Sequence, residues 1–311
     1  MQHTLNLEKF FFRYSIGISV IVLLIAMGVY AYLGTFSRYG GDDYCEAAWV
    51  RTASPVGAVI ERYQAGAWRA ANRYSNLLFV GISESLGRYN MPITMASMVL
   101  LWFAGCVWLV HEIRRLLRID WNFRVDLFLG LTLGFFSRRQ APNLFETVYW
   151  RSAMMTHFAP LVFGLFLFSF LIKQARSSSH KIPSMLLYFL IISATFILAG
   201  FSEPPTTTLL AAVLLLIIAI WLWGNPPAKQ KYMALLASVF VGVFLGLLVM
   251  LFSPAATNVA EDKTMNIASI LIKSFLYSYF FIVDSLKTQP LPIILSLFIP
   301  LMLLWLFRQM R

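Results

Sequence analysis

The sequence predicts an all-α membrane protein, a bundle of about eight or nine transmembrane helices. Of the 311 residues, 59% are hydrophobic and only 13% are charged, whereas soluble domains have roughly 45–50% apolar and about 25% charged residues. Mean hydropathy is +0.72. Apolar runs near twenty residues, the length needed to cross a bilayer, recur along the chain. These observations exclude a soluble globular protein.

Nine apolar runs are candidate spans: 14–33, 91–110, 125–136, 157–172, 185–200, 208–223, 234–252, 267–283 and 291–307. We expect the first to be an uncleaved signal anchor, because it is too long for the apolar region of a signal peptide and no clear cleavage site follows it. The run 125–136 is short and is expected to continue into "SRRQAPNLF". Segment 265–287 is amphipathic enough to lie along the membrane surface. If this segment lies along the surface, the chain has eight complete spans, which is the count we favour. If the segment crosses the membrane, the chain has nine.

Basic residues predict the orientation. They occur before the first run and after the second, fourth and sixth: Lys9, Arg13, Arg114, Arg115, Arg118, Arg124, Lys173, Arg176, Lys181, Lys229 and Lys231. All fall on one side, which the positive-inside rule makes cytoplasmic together with the N-terminus. The opposite loops are 35–90, 137–156, 201–207 and 254–266. We expect residues 1–311 to form a single transmembrane domain.

The net charge of +11 is explained by cytoplasmic anchoring and contact with anionic membrane lipids. No soluble basic domain is present to bind nucleic acid. The two cysteines, Cys45 and Cys106, lie outside a span and within one, so no disulfide is expected between them.

The first outer loop, 35–90, is expected to form amphipathic helices on the membrane face. Ser54 is a candidate N-cap with Pro55 at the first helical position, and apolar residues recur at helical spacing from Val56 to Leu77. A shorter helix, 44–52, precedes it. The loop holds six arginines and five acids. It either binds an anion or is long enough to escape the positive-inside rule.

Asp42 and Asp43 are alternative candidates for a catalytic general base. They follow the first span directly. Paired carboxylates near a low-dielectric surface hold a proton more tightly than in water, which suits proton abstraction from a hydroxyl. The alternative is a solvated turn, because "GGDD" is also favourable turn chemistry.

Two further acids lie in the other outer loops. Glu146 is in "NLFETVYWRSAMMTHF" and Glu203 is in "AGFSEPPTTT". A helical bundle brings such loops together above its end, so three acidic sites on one face indicate a shared site. The alternative for Glu203 is a cap-like residue before two prolines.

Candidate substrate-binding residues share the same face. Four arginines can bind a phosphate through two parallel hydrogen bonds: Arg62, Arg69, Arg73 and Arg151. Alternatively they extend to lipid headgroups or pair with acids, and this alternative is stronger for Arg62 than for Arg69. Aromatic side chains can stack on a sugar, or can mark the membrane interface: Tyr44, Trp68, Tyr149 and Trp150. His157, at the start of a span, completes the set, with a structural role as its alternative.

Several functions are disfavoured. The chain has no phosphate-binding Walker loop, GxGxxG or HExxH motif and no Cys/His cluster for zinc. The centres of the predicted spans carry almost no ionisable residues. A proton pump or ion-coupled carrier needs such residues on its pathway.

The chain resembles the GT-C class of membrane glycosyltransferases over most of residues 10–265. The resemblance lies in "GDDYCEAAW" opening the first outer loop, "YQAGAWRAANRY" after it, "FETVYWRSAMMTHFAP" in the second, "AGFSEPPTT" in the third and "FSPAATNVAEDK" further on. It is closest to bacterial members with a DDY-type motif in the first loop. Location in a bacterial inner membrane, with a periplasmic active face, follows from this resemblance.

The resemblance implies transfer of a sugar from a polyprenyl-phosphate donor to a hydroxyl of a glycan or lipid acceptor, with inversion. The base would be Asp42 or Asp43, and we favour Asp43. Glu146 and Glu203 would assist or hold a divalent cation, which the mechanism does not require. The alternative is a flippase or binding subunit for lipid-linked sugars, which would use the same arginines and aromatics without catalysis.

Overall fold

The computed structural model describes residues 2–65, 72–139, 141, 143–177, 184–223, 226–254, 267–288, 290 and 294. Contacts between residues divide the chain into two compact units, Met1–Val259 and Ala260–Arg311.

Secondary structure throughout the described residues is helical, as predicted. The first unit contains α1 (Gln2–Gly34), α2 (Asp43–Thr52), α3 (Pro55–Ala65), α4 (Tyr74–Glu84), α5 (Asn90–Leu117), α6 (Phe123–Arg139), α7 (Arg151–Ala153), α8 (Ala159–Arg176), α9 (Ser184–Ala199), α10 (Glu203–Trp223) and α11 (Pro226–Leu251). A 3₁₀ turn, Gly87–Tyr89, precedes α5, and π-helical segments Phe145–Tyr149 and Met154–Phe158 flank α7. The second unit contributes α12 (Ile267–Thr288).

Five of the described helical segments are long and apolar enough to cross a membrane: Tyr14–Gly34, Gly87–Leu117, Arg151–Arg176, Glu203–Leu222 and Lys229–Leu251. The chain is therefore a helical membrane protein. Helices α6 and α9 have 17 and 16 residues, so they reach roughly 25 Å against a hydrocarbon core of about 30 Å. Helix α6 does continue beyond residue 136, as expected. All but one residue of the predicted span 291–307 lies outside the described residues, and the count of eight or nine stays a prediction.

Helix α5 is the centre of the first half of the bundle and packs against α1, α6 and α8. Glycines allow the close approach, because a Cβ at Gly130 of α6 would lie 2.4 Å from the Cα of Val107 on α5. The second half is built by α11, which packs against α9 and α10. Small residues at helix contacts are typical of membrane bundles.

Charged residues at one end of the bundle hold its helices in register. Buried Asp126 of α6 accepts hydrogen bonds from His111 (2.8 Å) and Trp121 (2.6 Å) and pairs with Arg114 at 3.0 Å. Arg176, the last residue of α8, pairs with Glu112 of α5 at 2.9 Å. We call this the far end, and the end at which α1 leads into α2 the site end.

The described part of the connection between α1 and α5 contains α2, α3 and α4, with one correction to the prediction. Helix α2 matches the predicted helix 44–52, and Ser54 Oγ accepts a hydrogen bond from Gly57 N at 3.1 Å, as expected of a cap. The single helix predicted from residue 54 to 77 is wrong, because Asn72 and Arg73 are not helical. Asn72 Nδ2 donates to Glu203 and to the carbonyl oxygen of Met250. Tertiary hydrogen bonds here override the helical pattern.

Candidate functional site

A cavity of about 250 Å³ lies at the site end of the bundle, between the α1–α5 connection and the segment that leads into α8. It is lined by Asp42, Cys45, Glu46, Trp49, Arg62, Arg73, Asn76, Trp150, Ser152, Ala153, Thr156 and His157. Two acids, two arginines and two tryptophans therefore line one partly open cavity.

One face of α2 supplies a third of these side chains. Asp42, Cys45, Glu46 and Trp49 are spaced by three, one and three residues, which places them on the same side of a helix. The spacing makes the wall of the cavity a direct consequence of the helical conformation of α2.

Asp43 lies beneath the cavity and does not line it. Its side chain is fully buried. Oδ1 accepts hydrogen bonds from Ser152 N (3.0 Å) and Ser152 Oγ (2.7 Å), and Oδ2 accepts one from Gly40 N at 3.1 Å. The guanidinium of Arg151 lies 3.7 Å from the carboxylate. Asp43 thus clamps the start of α2 to the segment before α8, and its carboxylate is already satisfied.

Asp42 is the member of the pair that faces the cavity. It is exposed and lies on the cavity wall. None of the residues described in the structure donates a hydrogen bond to its carboxylate, so its lone pairs are free to meet a hydroxyl group. The adjacent aspartates diverge, as side chains at successive helical positions do.

Glu46 is the second acid of the cavity. Burial raises the pKa of its carboxyl group above 4.5, although Arg62 and Ser152 oppose the shift. Glu46 accepts a hydrogen bond from Arg62 Nη1 at 3.3 Å, and its Oε2 lies 3.0 Å from Ser152 Oγ, whose single proton it shares with Asp43. Burial thus keeps this carboxylate more basic than a carboxylate in water.

Two orphaned polar atoms lie at the cavity wall. Arg62 Nε and Asn76 Oδ1 are buried and have no hydrogen-bond partner among the described residues. Native proteins rarely leave such atoms unpaired. A polar ligand or ordered water in the cavity would satisfy both.

The two other predicted acids lie off the cavity. Glu203 pairs with Arg73 at 2.9 Å and accepts a hydrogen bond from Asn72 at 2.9 Å, so it holds Arg73 in place at the wall. Glu146 is exposed and is not a lining residue. The predicted convergence of Asp43, Glu146 and Glu203 on one cavity is therefore not what the structure shows.

Among the predicted binding residues, Arg73, Trp150 and His157 line the cavity. Arg151 is fully buried and pairs with Glu84 and Asp43. Tyr149 donates to the carbonyl oxygen of Tyr30 at 2.9 Å and accepts from Arg138. Tyr44 is exposed and packs against Tyr39. Arg69 and Trp68 lie outside the described residues.

The glycines of "GGDD" place Trp150 against α2. Gly41 has φ +50, a conformation that favours glycine. A Cβ there would lie 3.3 Å from the Trp150 ring. Trp150 Nε1 donates to the Gly40 carbonyl oxygen at 3.0 Å. The turn thus closes the cavity on the side of Trp150.

Sequence reasoning did not single out Glu46, Asn76 and Ser152, and it ranked Arg62 below Arg69. Glu46 could have been found, because it follows Asp42 by four residues and so lies on the same helical face. Ser152 and Asn76 give no such indication, since their positions depend on contacts between distant segments.

No group of three His, Cys, Asp or Glu side chains that could hold a metal ion occurs within the described part of the chain. Comparison of the chain with protein-family models, with curated proteins and with solved structures finds no match.

Proposed function

We propose that the cavity binds the phosphate-sugar headgroup of a polyprenyl-phosphate donor and transfers the sugar to a hydroxyl group of a glycan or lipid acceptor. The observation that carries the proposal is the meeting of Asp42 and Glu46 with Arg62 and Arg73 in one cavity at the end of an apolar bundle. Its volume of about 250 Å³ lies just below the range of small-molecule sites, about 300–1,000 Å³. That size suits a headgroup rather than a lipid chain.

Arg62 and Arg73 are suited to the donor phosphate. Each already pairs with one carboxylate, Glu46 and Glu203 respectively, yet a guanidinium carries five N–H donors. The unpartnered Nε of Arg62 is a donor still free for a phosphate oxygen. Trp49 and Trp150 offer faces on which a sugar can stack.

Asp42 is the proposed base, in place of Asp43. The acceptor oxygen attacks the anomeric carbon while its proton passes to Asp42. The bond from the anomeric carbon to the phosphate oxygen breaks, and its electron pair stays on the phosphate, where the arginines stabilise the charge. A single displacement inverts the anomeric configuration.

Glu46 positions Arg62 in this proposal. Its contact with Ser152 Oγ ties it to the same residue that clamps Asp43. Glu46 therefore has Ser152 on one side and Arg62 on the other before substrate arrives, and such preorganisation favours stabilisation of the transition state.

Asp42→Asn tests the assignment. We expect transfer to fall by about 100-fold or more, the usual contribution of a general base. Binding of the donor is retained, because both arginines remain. The measurement uses membrane vesicles supplied with radiolabelled polyprenyl-phosphate hexoses and pentoses, and follows label leaving the donor lipid.

Glu146→Gln is the matched control, an exposed acid away from the cavity, and should transfer at the wild-type rate. Wild-type turnover by Asp42→Asn would contradict its role as base. Donor binding or movement across the bilayer, without label transfer by the wild-type protein, would favour the flippase or binding subunit.

A further inference from the structure

A second, larger cavity lies at the site end and shares no lining residue with the first. It encloses about 860 Å³ and is open to the surface. We call it the arginine groove, after Arg38, Arg51 and Arg88, which line it together with Glu84 and Tyr89.

The arginine groove has an excess of positive charge. Three arginines face one carboxylate, Glu84, which leaves two positive charges in surplus. Glu84 is also committed elsewhere, because buried Arg151 pairs with it at the back of the groove. Arg51 also forms an ion pair with Glu84, at 3.0 Å.

Arg38 and Arg88 are the unbalanced cations. Arg38 donates to the carbonyl oxygens of Thr35 (3.2 Å) and Ser37 (2.8 Å). Arg88 donates to Tyr89 Oη at 2.7 Å and lies 4.7 Å from the centre of that ring. Within the described chain no carboxylate lies at ion-pair distance from either guanidinium. Neutral partners hold both side chains in place and leave their charge uncompensated.

Exposed apolar side chains flank the arginine groove. Phe36 is 58% exposed and precedes Arg38 by two residues, while Leu86 and Ile93, which are 43% and 47% exposed, flank the lining residues 87–92 in the sequence. Side chains of this kind mark the edge of the hydrocarbon layer. The guanidinium groups then lie at the depth of the lipid headgroups.

We propose that the arginine groove binds the phosphate ester of an anionic lipid headgroup. Guanidinium groups are matched to phosphate oxygens in charge and geometry, and the volume exceeds what a single phosphate needs. A bilayer phospholipid is the source that the flanking apolar surface favours, and free phosphate carries the same chemistry. The proposal is independent of the activity of the first cavity.

The test compares lipid retention by the wild-type protein and by the double variant Arg38→Gln/Arg88→Gln. Protein reconstituted in vesicles of four parts phosphatidylcholine to one part phosphatidylglycerol is analysed by native mass spectrometry. We expect the wild-type protein to retain phosphatidylglycerol above its share in the vesicle. Each arginine removed should reduce this enrichment by about fivefold. Neither residue belongs to the candidate catalytic cavity.

Arg139→Gln is the control, because Arg139 is exposed at the same end and lies outside the groove. A parallel titration in detergent with inorganic phosphate identifies the source. Arginine-dependent retention of lipid supports a phospholipid, and arginine-dependent thermal stabilisation by phosphate alone supports a soluble anion. A wild-type protein that shows neither overturns the proposal whatever the variants do, and so does a double variant that retains lipid as the control does.

Discussion

Buried charge is the main feature at the scale of single residues. Arg151 is fully buried and would be costly to desolvate without partners. It pairs with Asp43 and Glu84 and donates to Ser83 Oγ at 3.3 Å. Burial raises the pKa of Glu84, but hydrogen bonds from Arg151, Tyr39 and Arg51 outweigh it, and the net pKa lies below 4.5. The row Asp43–Arg151–Glu84 links Ser152, which lines the cavity, to Glu84, which lines the arginine groove.

Glu84→Gln should change how stability depends on pH. A carboxyl group with a lowered pKa in the folded state stabilises fully above its ordinary value of 4.5, and this contribution is lost as pH falls through the folded pKa. We expect the variant to lose about 3 kcal/mol at pH 7, typical of breaking a buried pair. Acidification below pH 4.5 should then lower the thermal unfolding temperature of the wild-type protein more than that of the variant.

Glu146→Gln is the reference for this measurement, since that side chain is exposed. Glu46 has a raised pKa, so its contribution to stability changes with pH in the opposite direction. It is present in the wild-type protein and in both variants, so its contribution cancels in the comparison. The difference between the curves therefore reports Glu84. If acidification lowers the unfolding temperatures of the wild-type protein and Glu84→Gln equally, the stabilising role assigned to the row Asp43–Arg151–Glu84 is contradicted.

The sequence identified the charged face at this scale but not the direction of each side chain. Asp42, Arg73, Trp150 and His157 were predicted from their type and location, and all four line the cavity. Asp43 was favoured as the base and is instead buried. The difference between Asp42 and Asp43 depends on Ser152, which is 109 residues from Asp43, and no local pattern contains that contact.

Glycines on α11 allow this helix to pack closely against α9. Gly242 and Gly246 lie one turn apart on α11 and face α9. A Cβ at Gly242 would lie 1.9 Å from Thr195 Oγ1, and one at Gly246 would lie 2.5 Å from Ala199 Cβ and 2.8 Å from Tyr74 Oη. The glycines therefore set the distance between α9 and α11, and they bring α11 near the start of α4.

Gly242→Ala should force α9 and α11 apart. We expect a loss of about 1–3 kcal/mol, typical of overpacking, seen as a lower thermal unfolding temperature in detergent. Gly164→Ala is the control, because nothing lies within 4 Å of a Cβ at Gly164 and alanine favours the helix. Equal unfolding temperatures for the two variants would contradict the close contact.

Helices were predicted well where apolar periodicity is strong and poorly where polar contacts interrupt it. Helix α2 and the cap at Ser54 follow from local residues alone. The break at Asn72 and Arg73 does not, because it depends on Glu203 and on the Met250 carbonyl oxygen. The apolar runs of α6 and α9 suggested spans, yet these helices are only 17 and 16 residues long.

The orientation of the whole molecule in the membrane is predicted from its basic residues. The positive-inside rule predicts that the far end, with Arg114 and Arg176, faces the cytoplasm. The two cysteines provide a test without any substitution. Cys45 is exposed on the cavity wall, and Cys106 is buried within α5.

A membrane-impermeant maleimide added to intact cells should label Cys45 and leave Cys106 unmodified in the folded protein. Cys45→Ser should abolish labelling, which identifies the residue. Labelling of Cys45 only after the membrane is opened would show that the site end faces the cytoplasm and would contradict the predicted orientation.

The clamp between Asp43 and Ser152 has a consequence for the order of events during synthesis. Its two residues are separated by 109 positions, so the ribosome takes roughly 5–20 s to make the intervening chain at about 5–20 residues per second. During that interval Asp43 has its local partner Gly40 but lacks Arg151 and Ser152. Residues 150–157 supply five of the residues that line the cavity, so the nascent chain acquires its site only when this segment has been made.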